Sequence, residues 1–131
     1  MGTQINAEKP YGKAELEQYK ETEIYILNLY GGLGNSYGTL SFDHLFSWSV
    51  RNKGIKKLVI NIPENSEQFR IDSIGMGRII SLTTSIINGG GKVRCSNIHG
   101  KCERMFKITK LDTIFQIHPT LEEAVQAFSE E

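Results

Sequence analysis

One apolar run near the middle of the chain limits the fold more than any other segment. Residues 57–62 are almost continuously apolar, and Pro63 ends the run. A run without polar alternation is typical of a central strand that is covered on both faces. We therefore expect a sheet with helices packed on it.

Helical and strand patterns alternate around this run. Apolar stripes predict a helix at residues 41–53, closed by Gly54 in a left-handed conformation, and a longer helix at 73–88. The other predicted elements are strands at 14–19, 24–30, 92–96 and 114–117, and helices at 101–107 and from Thr120, which has Glu123 at capping-box spacing. Alternation with short connections predicts an α/β fold: a mostly parallel sheet of four or five strands and about four helices, made mixed by a hairpin at the edge.

Several side chains in these helices are predicted to face the core. Trp48 lies at the edge of its stripe, where it either packs as a boundary residue or stays open for a partner. The residues predicted to point inward are Met76, Ile79, Ile80, Thr83, Ile86 and Ile87 in the long helix and Cys102, Met105 and Phe106 in the short one.

The segment Ile71-Asp72-Ser73-Ile74-Gly75-Met76-Gly77 leads into the long helix. Asp72 and Ser73 are both residue types that cap helices. The first turn of a helix leaves backbone N–H groups unpaired and favours an anion. Two interpretations stay open: these residues serve only as a cap, worth about 1 kcal/mol, or Ser73 carries a phosphate.

Length, charge and cysteine spacing exclude several classes of protein. The 131 residues fit one domain, which we expect at 13–131 behind a loose leader at 1–12. Since 15 Lys and Arg balance 15 Asp and Glu, no basic field attracts nucleic acid. No apolar run could span a bilayer, so we expect a cytoplasmic protein. Cys95 and Cys102, and the three scattered histidines, match no metal spacing, so we expect free thiols, no metal and no cofactor.

Four parts of the chain, taken in order, resemble the STAS domain of anti-sigma factor antagonists and their relatives. They are the strand and glycine turn at 27–33, the central segment at 71–77, the turn into a strand at 90–93, and a tail at 108–115 followed by 122–124. The resemblance covers residues 14–128. It implies a STAS-like mixed sheet.

The resemblance also implies a function. In that family the serine after the aspartate is phosphorylated by the partner anti-sigma factor, a serine kinase of the histidine-kinase ATPase type. Carried onto this chain, that serine is Ser73. The unphosphorylated protein binds the anti-sigma factor and frees the sigma factor; phosphorylation breaks the complex and a phosphatase restores it. The implied protein is a non-enzymatic regulator of transcription, with Asp72, Ser73, Ile74, Gly75, Met76, Gly77, Gly34 and Asn35 as partner-binding residues. Separately, we expect a monomer, because no exposed apolar stripe is left over once the core is assigned.

The chain departs from the family pattern at several places. Ile74 replaces a small or hydroxylated residue, and only Asn35 lies near the acidic position that follows the first glycine turn. Asn61 stands where the strand commonly ends on aspartate, and the loop at 63–70 is longer, so that it either enlarges the interface or hangs in water. These departures bear on partner choice more than on fold.

Two other functions are compatible with these patterns. The chain could be a STAS scaffold subunit of a larger signalling or lipid-transport assembly in which Ser73 is not phosphorylated. The third interpretation is a small enzyme or nucleotide-binding protein that uses the glycine-rich loop at 31–38. That loop approaches a dinucleotide fingerprint, but it fails at Tyr37, where glycine is required.

Overall fold

The computed structural model describes residues 12–48 and 54–130. Its strands are β1 Lys13–Gln18, β2 Ile24–Tyr30, β3 Gly32–Leu33, β4 Lys57–Asn61, β5 Arg70–Ile71, β6 Lys92–Ser96 and β7 Gln116–His118. Its α-helices are α1 Leu40–Ser47, α2 Ser73–Asn88, α3 Gly100–Ile108 and α4 Leu121–Ser129, with short 3-10 helices at Ser66–Gln68 and Leu111–Thr113. The predicted leader, except Gly12, and the predicted end of the first helix at 49–53 lie outside the described residues.

Five strands form one mixed sheet in the order β1-β2-β4-β6-β7. β1 is antiparallel to β2, and every other pair in this sheet is parallel. The predicted α/β class is therefore confirmed, with a five-stranded sheet and four α-helices within the described residues. β3 and β5 form a separate parallel pair that the sequence patterns did not predict.

β4 lies at the centre of the sheet and is covered on both faces. Leu58 and Ile60 belong to the larger core, which contains residues of α1, α2 and α3. Val59 points the other way and packs with Ala124 and Phe128 of α4. All three β4 side chains are fully buried, and burial of each contributes about 1.5–3 kcal/mol. The prediction of a central strand is confirmed.

The last strand begins later than predicted. We predicted it at 114–117, but β7 covers Gln116–His118. The N–H groups of Ile114 and Phe115 both donate to the carbonyl oxygen of Leu111, which holds them in a helical turn. Phe115 is buried there against Phe106, with ring centroids 6.0 Å apart. Packing of the aromatic ring, rather than strand propensity, decides this segment.

Two side chains predicted to face the core are partly exposed. Met105 is 37% exposed because α3 packs through Cys102 and Phe106, which share a different face of the helix. Ile87 is 39% exposed, and Leu82 is buried in α2 in its place. Trp48, also 39% exposed, lies at the boundary between core and solvent.

Both cysteines are free and buried, as their spacing predicted. Burial raises the pKa of the Cys102 thiol to about 12. The pKa of Cys95, which is more deeply buried, is also raised well above its ordinary value. Thiols in this state stay protonated at neutral pH and react slowly, so both cysteines serve packing.

A chain of polar side chains crosses the sheet near the carboxyl ends of β2, β4 and β6; Asn28, Asn61 and Ser96 are buried, and the chain ends at the exposed Glu17. Asn61 Oδ1 accepts hydrogen bonds from Ser96 Oγ at 2.6 Å and from Asn97 Nδ2 at 2.8 Å. Asn61 Nδ2 donates to Asn28 Oδ1 at 2.8 Å, and Asn28 Nδ2 donates to Glu17 Oε2 at 2.7 Å. The hydrogen bonds run in one direction and end at the Glu17 carboxylate, which can only accept. This direction assigns the orientation of the Asn28 and Asn61 amides. Asn61 is therefore required as an acceptor and as a donor.

Candidate functional site at the start of helix α2

Asp72 is the cap of α2. Its backbone is extended, with φ −114° and ψ −173°, and its Oδ1 accepts a hydrogen bond from the Gly75 N–H at 3.0 Å. This and other backbone N–H groups hold the pKa of Asp72 below its ordinary value, against a smaller effect of burial. Of the two candidate caps named from sequence, Asp72 takes the role. Ser73 becomes the first residue of the helix.

The glycine turn after β3 is attached to this cap. The Asn35 N–H donates to Asp72 Oδ2 at 2.9 Å, across 37 positions of sequence. A Cβ at Gly34, where φ is +147°, would overlap the Asp72 carboxylate. Gly34 therefore allows the close approach that lets one carboxylate cap α2 and fix the turn at once. The structure brings Gly34 and Asn35 together with Asp72, as the predicted site requires.

Gly75 allows a second close approach, between α2 and the small β3–β5 sheet. A Cβ at Gly75 would overlap the carbonyl oxygen of Leu33 and lie 2.9 Å from Ile71 Cγ1. The corresponding position at Gly77 is open space. The two glycines thus differ in role: Gly75 seats the helix on β3, and Gly77 keeps an exposed face of α2 free of a side chain.

The predicted site residues divide by exposure. Ser73, Asn35 and Gly77 are exposed, and Ile74 is 45% exposed. By contrast, Gly34 and Gly75 are buried, Met76 is only 5% exposed, and Asp72 is half-buried with both carboxylate oxygens bonded. The exposed members can contact a partner directly. The buried members hold them in place.

A groove between α2 and α3 continues from Ser73, and it is not among the features predicted from sequence. It encloses a cavity of about 630 Å³, lined mainly by the apolar side chains of Met76, Ile80, Met105 and Ile108. Ile108 is 79% exposed. Met105 and Ile108 are spaced three residues apart, which marks a second apolar face of α3 beside the buried face. This spacing is the sequence signal from which the apolar face beside the groove could have been predicted.

The long loop at 63–70 is anchored to the start of α3. Its residues Ser66–Gln68 form a 3-10 helix. The His99 N–H donates to Ser66 Oγ at 2.8 Å, and the Lys101 N–H donates to Glu67 Oε1 at 3.4 Å. The loop therefore packs on the fold near the groove instead of hanging in water.

The glycine-rich turn is already engaged inside the protein. In a dinucleotide-binding loop, backbone N–H groups point at a phosphate. Here the Asn35 N–H donates to the Asp72 carboxylate, and the Gly34 N–H donates to the Gly38 carbonyl at 3.2 Å. A bound phosphate would face a carboxylate at this turn, which argues against nucleotide binding there.

Two other kinds of feature are absent from residues 12–48 and 54–130. No group of three or more His, Cys, Asp or Glu side chains in these ranges could hold a metal ion. No helix in them is long and apolar enough to cross a membrane.

Comparison with known protein families decides the classification. The model of the STAS domain matches residues 15–124, most of the chain. The chain belongs to the STAS domain family. A Thermotoga maritima protein that carries the provisional name anti-sigma factor antagonist is 33% identical over 87 residues, which cover 63% of this chain and 74% of that protein. The resemblance seen in the sequence is confirmed.

Solved structures share the fold of this STAS domain. An anti-sigma factor antagonist from Mycobacterium paratuberculosis has a TM-score of 0.72 at 17% identity, over 90% of this chain and 94% of that one. The Bacillus cell fate determinant SpoIIAA in its phosphorylated form has a TM-score of 0.66 at 18% identity, over 88% of this chain and 98% of that one. At such identities the likeness concerns the fold, and it confirms the STAS-like mixed sheet.

Replacing Asp72 by Asn tests the double role of this cap. Asn keeps an oxygen for the Gly75 N–H but turns an NH₂ group toward the Asn35 N–H, so we expect a loss of about 1 kcal/mol at neutral pH. Because folding lowers the Asp72 pKa, the stabilisation exists above the unfolded-state pKa of about 4 and is lost as the pH falls through the folded-state pKa. Urea unfolding of both proteins across this range should show the difference shrinking in acid. A difference independent of pH would contradict the assignment.

Proposed function

We propose that this STAS domain is an anti-sigma factor antagonist that binds an anti-sigma factor and is released when Ser73 is phosphorylated. The observation that carries the proposal is the exposed Ser73 at the first position of α2, beside a cap that Asp72 alone supplies. Ser73 is thus not required for the cap and is accessible. The name of the Thermotoga maritima relative and the phosphorylated form of SpoIIAA support the same class.

The chemistry of the switch follows from the position of Ser73. A kinase would transfer the terminal phosphoryl group of a bound nucleoside triphosphate to Ser73 Oγ, with loss of the hydroxyl proton and release of the diphosphate. The phosphate adds a charge of about −1.5 to −2 at pH 7. The phosphate lies beside Asp72, which already accepts the Gly75 N–H, so the N-terminus of α2 offsets its charge only in part. A partner that packs on Ile74 and the apolar groove would have to desolvate it, so its affinity falls.

The proposed docking surface consists of Asn35, Ser73, Ile74 and Gly77, together with the groove that adjoins them. Its partner would be an anti-sigma factor and serine kinase of the histidine-kinase ATPase type, and a phosphatase would reverse the modification. On this proposal the protein is a cytoplasmic monomer that acts by binding, without a cofactor and without contacting nucleic acid. It regulates transcription by freeing a sigma factor.

The first experiment is the intact mass of the protein taken from its native cells, before and after phosphatase treatment. We expect one phosphate that phosphatase removes and that is absent from Ser73→Ala. A lack of phosphate under every growth condition would overturn the switch. It would favour the scaffold subunit, which should then co-purify in a large assembly regardless of Ser73→Ala.

Ser73→Asp should weaken binding to the partner that co-purifies with the wild type. We expect the Kd to rise at least about tenfold, equivalent to about 1.4 kcal/mol, because a negative charge enters the docking surface. Ser129→Asp is the matched control, since Ser129 is exposed at the end of α4, whose residues pack with Val59 on the other face of β4. Calorimetric titration measures both, and equal Kd values for the two variants would refute the docking surface.

A further inference from the structure

Two cations from α3 face the proposed phosphorylation site across the groove. Lys101 and Arg104 line the same cavity as Ser73 and Asp72. In the part of the chain that the structure describes, neither side chain forms an ion pair, and no hydrogen bond involves its charged group. Both charges are therefore available to a ligand in the groove.

Two other cations on α2 and α3 are already engaged in ion pairs. Arg78 of α2 pairs with Asp43 at 2.8 Å. Lys107 of α3 pairs with Glu103 at 3.3 Å. Lys101 and Arg104 thus differ from these neighbours on the same two helices.

Among the described residues, no acidic side chain around the groove forms an ion pair with Lys101 or Arg104. Both Asp72 carboxylate oxygens accept backbone N–H groups. Glu67 accepts the backbone N–H of Lys101, and Glu103 pairs with Lys107. An additional anion beside Asp72 would need nearby positive charge, which the long side chains of Lys101 and Arg104 can supply.

We propose that Lys101 and Arg104 hold the phosphate of phosphorylated Ser73 within the same chain. This inference rests on the proposed modification of Ser73. In the phosphorylated protein the two side chains extend across the groove toward α2 and cover its apolar lining. The phosphate then acts in two ways: it places a charge on the docking surface, and it closes the groove that the partner would use.

The test uses the full chain with phosphoserine installed at position 73 during translation, so no kinase is needed. Phosphorus NMR follows the second ionisation of the phosphate, which lies at about pH 6 for an exposed phosphoserine. Contact with two cations should lower this pKa by about half a pH unit or more. The double variant Lys101→Gln/Arg104→Gln should return it to the ordinary value.

The matched control is Lys20→Gln/Lys110→Gln, which removes the same charge from exposed positions outside the groove and leaves both the Lys101–Arg104 pair and the Lys107–Glu103 ion pair intact. This control should keep the lowered phosphate pKa of the wild type. The inference would be overturned if both double variants changed the phosphate pKa equally, or if that pKa were ordinary in the protein without these substitutions. If phosphorylation releases the partner but the phosphate has its ordinary pKa, this contact is refuted and the proposed function stands. If the phosphate pKa is lowered but the protein is never phosphorylated in cells, the contact stands and the proposed function is refuted.

Discussion

Gly75→Ala is expected to lower the free energy of unfolding by about 1–3 kcal/mol. The added Cβ would overlap the Leu33 carbonyl oxygen and lie 2.7 Å from the Leu33 carbonyl carbon, which are backbone atoms of β3. Backbone in a paired strand moves less readily than the end of a flexible side chain. Either α2 shifts away from β3 or the β3–β5 pair is distorted, and both outcomes cost packing in the core.

Gly77→Ala is the matched control for Gly75→Ala. Both positions lie in the first turns of the same helix, but a Cβ at Gly77 meets open space. Alanine in a helix interior is favoured over glycine by about 0.5–1 kcal/mol, so Gly77→Ala should be neutral or stabilising. Urea unfolding monitored by circular dichroism gives both values. Similar changes in the two variants would show that Gly75 does not seat α2 on β3.

Gly75→Ala should also alter the proposed site at a distance. Leu33 directly precedes the turn that carries Gly34 and Asn35, and the Asn35 N–H is bonded to Asp72. A shift of β3 therefore reaches the cap of α2 and the surface around Ser73. Partner affinity should fall in Gly75→Ala even where the protein is still folded.

Asn61→Asp is expected to destabilise the protein by about 2–4 kcal/mol at neutral pH. Asn61 is 3% exposed, and its Nδ2 donates to Asn28 Oδ1. A carboxylate cannot donate, so two oxygens would face each other inside the protein. Asn28 cannot simply flip its amide, because its Nδ2 is already bonded to the Glu17 carboxylate.

The second variant in this test is Asn61→Asp/Glu17→Gln. A glutamine at position 17 can donate to Asn28 Oδ1, so that Asn28 can flip and donate its Nδ2 to the new aspartate. The hydrogen-bond chain then runs in the opposite direction with every group paired. Chemical denaturation of both single variants and the double variant should show a favourable coupling of at least about 1 kcal/mol. Additive losses would contradict the described chain of hydrogen bonds.

The local part of the candidate site could be predicted from sequence. The capping residue types at Asp72 and Ser73 and the apolar stripe behind them located the start of α2, since caps and helical periodicity depend on neighbours in sequence. The resemblance added Gly34 and Asn35 to the same site. Which of the two residues caps the helix could not be read locally, because both are suitable. The approach of the Gly34 turn decides it, by presenting a second N–H group to the Asp72 carboxylate.

The groove and its cations show where sequence patterns are insufficient. Met105 was assigned to the core because apolar residues at helical spacing are usually buried, yet α3 buries only the Cys102 and Phe106 face. In sequence, Lys101 and Arg104 belong to a small basic cluster that a solvated helix face explains. Their significance arises from the position of α3 beside α2, which follows from packing of both helices on the same core.

By itself the sequence determined the order of the four helices and of the five strands in the main sheet, the two-sided burial of β4, the mixed character of that sheet and the position of Ser73 at a helix start. These properties depend on periodicity and on residue types close together in the chain. Only the tertiary structure decided the β3–β5 pairing, the late start of β7, the Asn61 network and the groove between α2 and α3. The β3–β5 pairing, the network and the groove join segments that are distant in sequence, as Asn61 and Ser96 are, 35 positions apart. The late start of β7 depends instead on the packing of Phe115 against Phe106. Such contacts depend on how the whole core packs, which no local pattern records.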